Sequence, residues 1–179
     1  MNVLCFGDSN TYGYNPYSWS GERYSKNNRW VDSLAEMTGW EITNLGENGR
    51  CIPQRPITFP PDTDLLIVML GTNDLLQGCT PEQTTERMKH FLLNASLALE
   101  KILLVAPPPM TLGEWVSDQT RIDASHALAR CYRMLAEQLS IRFADAGDWN
   151  VTLANDGVHF TEQGHRAFAS GIYKEMITQ

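Results

Sequence analysis

The sequence predicts an α/β protein in which a central five-stranded parallel sheet lies between two layers of helices. Short apolar runs alternate with helical patterns, no internal repeat interrupts them, and motifs of chemically active residues directly follow several of the apolar runs. Such alternation is typical of a three-layer α/β/α sandwich with a parallel sheet. Open sheets of this kind bind ligands at the carboxyl ends of their strands. We therefore expect the motifs to meet at one edge of the sheet.

The first half of the chain predicts three strands and one helix. The apolar run over residues 2–6 ends at a Gly-Asp-Ser turn, as a buried strand does. Apolar residues at near-helical spacing between Trp30 and Trp40 predict a helix, which Gly39 ends. Residues 41–45 predict a second strand. Residues 64–70 are apolar on both faces, which indicates a central parallel strand.

The second half predicts two more strands and three helices. Thr80 and Pro81 suit an N-cap and a first helical position, and this helix is expected to continue to about Leu99. Residues 101–106 predict a fourth strand, which ends at three prolines because proline can neither extend a ladder nor enter a helix interior. The remaining predicted elements are a helix over 120–139, a strand over 141–144 and a helix from 161 to about 177.

Length and composition indicate one domain over residues 1–179. A globular chain of ~150 residues buries roughly 70% of its unfolded surface, so the core needs no disulfide or metal for stability. No stretch approaches the ~20 apolar residues of a membrane-spanning helix. The start of the chain lacks a basic region and leads straight into the first motif, so no cleaved signal peptide is expected and a cytoplasmic location is predicted.

Charge and cysteine spacing exclude several classes of partner. A net charge of −7 without a basic stripe argues against nucleic acid, whose binding depends on clustered Lys and Arg. The cysteines are far apart and form no Cys-x-x-Cys pair, so neither a zinc site nor a redox motif is predicted. They are Cys5, Cys51, Cys79 and Cys131. We expect buried free thiols, no metal, no cofactor, no membrane partner and a small-molecule substrate, and a homo-oligomer is left open.

Two short motifs at opposite ends of the chain supply the three groups that serine hydrolysis requires. Ser9 lies in Gly-Asp-Ser-Asn after the first predicted strand, whereas Asp156 and His159 lie in Asp-Gly-Val-His near the other end. A serine hydroxyl needs a base to take its proton. A carboxylate three residues before the histidine can hold one imidazole nitrogen so that the other faces the serine. These residues predict a catalytic triad.

An oxyanion forms when an ester is attacked, and it needs preorganised hydrogen-bond donors. We expect three: the backbone amides of Ser9 and Gly49 and the side-chain amide of Asn73, each following one of the first three predicted strands. Taken alone, each triad or oxyanion residue also has an ordinary structural explanation as a cap, a turn residue or a surface group.

Other polar residues have weaker cases for chemistry. Asp8 and Asp74 are expected to brace their turns rather than to react. His90 and His126 fall within helical patterns, and His165, beside a glycine on the last predicted helix, is expected to be a surface residue.

Four sequence blocks lie in a fixed order along nearly the whole chain. They are Gly7-Asp8-Ser9, Asn44-x-Gly46-x-x-Gly49, Gly71-x-Asn73-Asp74 and Asp156-x-x-His159. In order and spacing these blocks resemble those of SGNH (GDSL-type) hydrolases. The resemblance implies a flavodoxin-like α/β/α fold, Ser9 as nucleophile, Asp156 and His159 as its triad partners, and Gly49 and Asn73 as oxyanion donors beside Ser9. Asn10 stands where the GDSL signature has leucine, a position that varies in the family.

Longer stretches resemble one branch of that family, the small arylesterases, acyltransferases and acetylesterases. The stretches are residues 7–13, 29–30, 69–74, 107–109, 143–147 and 157–161. Members of the branch act on short acyl esters, several transfer acyl groups to alcohols, and some form oligomers. The resemblance implies a serine carboxylester hydrolase for acetyl-type esters that works through an acyl-enzyme, with transfer to alcohols left open.

Several alternatives remain at this point. A carbohydrate O-deacetylase uses the same chemistry and differs only in the cleft for the leaving group. A lysophospholipase or thioesterase is disfavoured because the chain has no long apolar cap segment. A non-catalytic binding module has no need for Asp156 behind His159. A flavodoxin-like cofactor protein needs a phosphate-binding glycine loop, which the first turn lacks.

Two aromatic segments are candidates for the walls of the substrate cleft. One runs over residues 14–29, and the other holds Trp115 within residues 110–119. These loops are long enough to act as lids or subunit contacts, or their aromatic side chains simply pack the loops down. If they form a rim, the cleft is small and favours acetyl or propionyl esters. The residues assigned to substrate binding are Asp8, Asn10, Tyr14, Trp115 and Val158.

Overall fold

A single five-stranded sheet forms the centre of the computed structural model, which describes residues 1–177. Its strands are β1 (Asn2–Gly7), β2 (Glu41–Gly46), β3 (Leu65–Met69), β4 (Ile102–Ala106) and β5 (Arg142–Asp145). All neighbours pair in parallel, in the order β2-β1-β3-β4-β5. This is the flavodoxin-like strand order. The predicted five-stranded parallel sheet is confirmed, with no strand end shifted by more than one residue.

The helices are α1 (Ser9–Tyr12), α2 (Trp30–Thr38), α3 (Thr72–Leu76), α4 (Pro81–Leu93), α5 (Gln119–Leu139) and α6 (Glu162–Ile177). Short 3₁₀ turns cover Lys26–Asn28, Leu99–Lys101 and Ala146–Trp149. Across residues 1–177, no helix is both long and apolar enough to cross a membrane.

Helices cover both faces of the sheet because successive strand residues point to opposite sides. On one side Val68 of β3 belongs to a core with Met88 of α4 and Tyr132 of α5. On the other side its neighbour Ile67 belongs to a second core with Trp30 of α2. Every residue of β3 is at most 1% exposed. The apolar run that predicted a central strand thus reflects burial on both faces.

The helix that follows Thr80 is shorter than predicted. It begins as expected but ends at Leu93 rather than at about Leu99. The Asn94 side-chain amide donates to the His90 carbonyl at 2.8 Å, in addition to the bond that the Asn94 backbone amide makes to the same carbonyl at 3.2 Å. Two residues later, the Ser96 hydroxyl accepts a hydrogen bond from the Phe59 backbone amide at 2.7 Å. These side-chain bonds draw the chain off the helix axis.

Two short helices were not predicted. The four-residue α1 and the five-residue α3 directly follow β1 and β3. Asp8 caps α1, since its carboxylate accepts a hydrogen bond from the Asn10 amide at 3.0 Å. Elements of about one turn are too short to show a helical period in the sequence. They nevertheless carry Ser9 and Asn73 into the site.

Two expectations about side chains are wrong. His165 is not a surface residue: it is 0% exposed, because α6 packs it beside α2 and against the rings of Tyr24 and Phe160. The cysteines are all free, as expected, but only Cys5 is buried. The three that are partly exposed are Cys51, Cys79 and Cys131.

Candidate active site

The switch in strand order determines where the candidate site lies. Strand β1 lies between β2 and β3. The chain runs from β1 to β2 on one side and then crosses back to β3 on the other, so the strand order reverses next to β1. A crevice at the carboxyl ends of the strands is expected at such a point. Ser9 follows β1, Gly49 follows β2 and Asn73 follows β3, so all three proposed donor segments lie at this edge.

The three predicted triad residues lie within hydrogen-bonding distance of each other. His159 Nε2 is 3.0 Å from Ser9 Oγ, and His159 Nδ1 is 2.7 Å from Asp156 Oδ2. An ionised carboxylate can only accept, so Nδ1 donates to Asp156 and Nε2 is left to accept from the serine hydroxyl. Ser9, Asp156 and His159 are 6%, 7% and 2% exposed, respectively. The arrangement can transfer a proton from Ser9 to a base that is shielded from water.

Asp156 is fixed by a tight turn of its own loop. Its Oδ1 accepts from the backbone amides of Val158 at 2.8 Å and His159 at 2.9 Å. Burial favours a raised pKa for this carboxyl group, but the hydrogen bonds from the His159 ring and from the two amides hold the pKa below its ordinary value. Asp156 therefore stays ionised and keeps the imidazole oriented.

The proposed oxyanion donors have free hydrogens. Within residues 1–177, the backbone amides of Ser9 and Gly49 donate to no other protein atom. Gly49 has a φ of 72°, in the left-handed region that favours glycine. Asn73 Nδ2 donates one hydrogen to the Arg50 carbonyl at 3.0 Å, and a side-chain amide has a second hydrogen to give. The site thus offers three neutral N–H donors.

Asn10 holds the nucleophile and histidine segments together. Its Nδ2 donates to the Val158 carbonyl at 3.1 Å, and its Oδ1 accepts from the Phe160 amide at 2.9 Å. The side chain is 4% exposed and holds the His159 loop through both its oxygen and its nitrogen. Its role in substrate binding stays a prediction. Val158 itself is 5% exposed and packs in the core.

Asn44 is a site residue whose side-chain role the motif did not reveal. Its Nδ2 donates to the Thr11 carbonyl of α1 at 2.8 Å, and its Oδ1 accepts from the Gly46 amide. At Gly46 a Cβ atom would lie 2.0 Å from the Tyr12 backbone nitrogen. Asn44 and Gly46 thus seat the short helix that carries Ser9 directly on β2. Their shared motif is the signal that could have indicated this contact.

Two aromatic rings flank the catalytic histidine. The ring of Tyr14 is 4.6 Å from that of His159, and the ring of Trp115 is 4.9 Å from it in an edge-on arrangement. The Trp115 loop is bonded to the triad loop, since the Trp115 amide donates to the Asp156 carbonyl at 3.1 Å. Trp115 is 49% exposed, so an apolar surface faces solvent beside the histidine.

Asp8 and Asp74 lie in the turns that the sequence expected them to brace. Asp8 is 2% exposed, and burial raises its pKa to about 6. Asp74 is 0% exposed; it accepts from the Ile52 amide at 3.0 Å and from Arg87 at 2.9 Å. Across the described residues, no group of three His, Cys, Asp or Glu side chains is arranged to hold a metal ion.

Comparison with known proteins relates this geometry to one family. The model of the GDSL-like lipase/acylhydrolase family matches residues 5–167. The aryl esterase of Mycobacterium smegmatis superposes with a TM-score of 0.84 at 26% identity, over 99% of each chain. A carbohydrate acetylesterase from Sinorhizobium meliloti superposes with a TM-score of 0.82 at 25% identity, also over 99% of each chain. A search of curated protein sequences gives no significant match.

Proposed function

This chain belongs to the GDSL-like lipase/acylhydrolase family and is a serine ester hydrolase, and from that premise we propose that it cleaves short acyl esters through an acyl-enzyme on Ser9. The observation that carries the proposal is the continuous hydrogen-bonded chain from Ser9 Oγ through His159 to Asp156, with distances of 3.0 and 2.7 Å. A buried relay of this kind fits nucleophilic catalysis.

Each proton transfer in the proposed reaction uses His159 Nε2. Ser9 Oγ attacks the ester carbonyl while Nε2 takes its proton, and the carbonyl electrons move onto the oxygen. The tetrahedral oxyanion collapses, the alcohol leaves with the proton from Nε2, and the acyl group remains on Ser9. Water then attacks the acyl-enzyme, again losing its proton to Nε2, and the acid is released as Ser9 regains its proton.

Three donors are proposed to stabilise the oxyanion. They are the amides of Ser9 and Gly49 and the Asn73 side chain, whose free hydrogens support this role. Fixed donors aimed at developing charge are worth more in a shielded site than in water. Removing the Asn73 donor is expected to lower turnover by ~100- to 1,000-fold.

Labelling with a fluorophosphonate tests the proposed nucleophile and base. Wild type is expected to gain the mass of one adduct, Ser9→Ala none, and His159→Ala one only slowly, because the base no longer activates the serine. Mass spectrometry of the intact proteins gives the result. A Ser9→Ala protein with full esterase activity, or a wild type that takes no label, would remove Ser9 from the mechanism.

The proposed substrates are acetyl and propionyl esters. Tyr14 and Trp115 flank His159 closely, which supports a small acyl site with an aromatic entrance. In a series of p-nitrophenyl esters, kcat/KM is expected to be highest at two or three carbons. A maximum at eight carbons or more would contradict the proposal.

A second candidate is deacetylation of carbohydrates, which the similarity to the Sinorhizobium meliloti carbohydrate acetylesterase favours. A higher kcat/KM on acetylated xylo-oligosaccharides than on aryl acetates would select it. Transfer of the acyl group to an alcohol remains a proposal too, tested by the yield of ethyl ester when ethanol competes with water. A cytoplasmic location, a single domain, a homo-oligomer and the absence of nucleic-acid and membrane partners stay predictions from the sequence.

A further inference from the structure

Arg50 lies where the three segments with the proposed oxyanion donors meet. Its backbone amide donates to the Glu47 carbonyl at 3.2 Å and closes the turn in which Gly49 is the third residue. A second contact closes the same turn, since Arg50 Nη2 is 2.6 Å from Glu47 Oε2. Arg50 therefore shapes the turn that presents the Gly49 amide.

The guanidinium group ties this turn to the nucleophile strand. Arg50 Nη1 donates to the Gly7 carbonyl, two residues before Ser9, at 3.0 Å and also to the Leu45 carbonyl at the end of β2. The group lies over the Phe6 ring of β1, 4.3 Å from its centre. One side chain thus links the ends of β1 and β2, from which the Ser9 and Gly49 amides emerge.

The backbone of Arg50 makes the connection to the third donor. Its carbonyl accepts from Asn73 Nδ2 at 3.0 Å, which fixes the rotation of the amide whose other hydrogen is free. Two residues along, the Ile52 amide donates to Asp74 Oδ2 at 3.0 Å. Arg50 thus contacts α3 through its backbone and β1 and β2 through its side chain, so a shift of its turn also moves the carbonyl that holds the Asn73 amide.

Burial makes the Arg50 guanidinium group dependent on these bonds. The side chain is only 18% exposed, and a guanidinium group with little water around it needs hydrogen-bond acceptors within the protein. Two strand-end carbonyls and one carboxylate supply them, in the fork geometry that arginine provides.

From these contacts we infer that Arg50 is a positioning residue that fixes the distance between the Ser9 and Gly49 amides and the orientation of the Asn73 amide. The inference rests on the oxyanion roles proposed above for these three residues. A small displacement of a reacting or stabilising group is enough to slow a reaction strongly. Because the donors act on charge that develops only in the transition state, loss of Arg50 lowers kcat and kcat/KM together and leaves KM nearly unchanged.

Turnover of p-nitrophenyl acetate by Arg50→Gln tests this role. Activity is counted per serine that reacts with a fluorophosphonate at completion, so unfolded protein does not enter the comparison. We expect kcat per reactive serine to fall ~10- to 100-fold, less than for complete loss of one donor, with KM within about threefold. The initial rate of phosphonate labelling is expected to fall with kcat, because that adduct uses the same donors.

Two further variants separate positioning from a purely structural role. Arg50→Lys keeps a positive charge with N–H donors, now on an ammonium group able to reach the strand-end carbonyls, and is expected to recover kcat to within about tenfold of wild type. In an Asn73→Ala background, Arg50→Gln is expected to lower kcat less than it does in wild type, since one of the donors that it positions is already lost.

Arg133→Gln is the matched control, because Arg133 also lies over an aromatic ring, Phe143, at 4.9 Å, but on the β5 side of the sheet. It is expected to keep wild-type kcat. Wild-type kcat per reactive serine in Arg50→Gln, or equal losses in the two backgrounds, would overturn the inference while the esterase mechanism stands. A wild-type protein that takes no label at Ser9 would overturn both.

Discussion

Two buried carboxyl groups near Ser9 and His159, those of Asp156 and Asp8, have pKa values shifted in opposite directions. Asp156 receives hydrogen bonds from two backbone amides and the His159 ring, and these lower its pKa. For Asp8, burial outweighs the bond from the Asn10 amide and the nearby charges of His159 and Arg50, and its pKa rises from 3.8 to about 6. The carboxyl oxygens of Asp156 therefore have enough hydrogen-bond donors around them to keep this triad residue ionised. Asp8 has fewer, so the negative charge of this helix cap is unfavourable.

Replacing Asp8 with asparagine is expected to stabilise the protein at neutral pH. Asn caps a helix about as well as Asp but has no charge to bury. Asp8 binds its proton more tightly in the folded protein than in the unfolded chain. Its ionisation therefore lowers the free energy of unfolding as the pH rises from 3.8 to about 6, and above pH 6 this penalty stays constant. Asp8→Asn should therefore exceed wild type in free energy of unfolding by about 3 kcal/mol at pH 8.

Urea unfolding of both proteins between pH 4 and pH 8 measures this difference. The gap is expected to close as the pH falls to 4, because all other titrating groups are shared and cancel. A gap that stays constant across the range would show that burial of the charge is not its cause.

Among the structural elements, the short helix α1 determines the geometry of the nucleophile, although its four residues cannot form a stable helix alone. Tertiary contacts hold it: the Asp8 cap, the bond from Asn44 to the Thr11 carbonyl, and close approach to Gly46. The motif that supplies Asn44 and Gly46 thus acts first on the position of Ser9, and only its last glycine has a proposed role as donor.

Gly46→Ala is expected to displace α1. The added Cβ would lie 2.0 Å from the Tyr12 backbone nitrogen, and backbone cannot move aside as a flexible side chain does. We expect a loss of about 1–3 kcal/mol in stability and a fall in kcat/KM of ~100-fold, because Ser9 moves relative to His159.

Gly78→Ala is the control for glycine replacement in general. Gly78 has a φ of 93° with open space around it, so alanine there costs about 1–2 kcal/mol of backbone strain without touching the site. Its kcat/KM should equal that of wild type. Equal activity losses in the two variants, measured at a temperature where both are folded, would contradict the argument about α1.

At the scale of the whole molecule, the sequence predicted features that show as runs of buried apolar residues or as short motifs of polar residues. The strands are visible because β3 and its neighbours are apolar on both faces, and the triad because serine, aspartate and histidine follow turns. Features set by single long-range contacts were not predictable. The end of α4 depends on Ser96 reaching Phe59, and the burial of His165 depends on α2 packing against α6.

His165 links the packing of α6 to the acid stability of the molecule. Burial lowers its pKa to about 3, and the charges of Arg29 and His159 act in the same direction. Its Nδ1 accepts from the Trp30 amide at 3.4 Å, so the folded protein keeps the ring neutral while the unfolded chain takes up a proton below pH 6.5. Stability is therefore lost as the pH falls from 6.5 towards 3, by about 1.4 kcal/mol per pH unit from this group.

His165→Gln is expected to remove that slope. Glutamine offers an oxygen to the Trp30 amide but does not titrate. The variant is expected to be less stable than wild type at pH 8, because the ring packing is lost, and to lose less unfolding free energy as the pH falls. Unfolding free energies at intervals between pH 8 and pH 4.5 give the two slopes. His126→Gln, at an exposed position of α5, is the control for replacing a histidine by glutamine. If the unfolding free energies of His165→Gln and wild type fall in parallel, protonation of His165 does not cause the acid unfolding. The contact between α2 and α6 then does not limit the pH range in which Ser9 and His159 stay aligned.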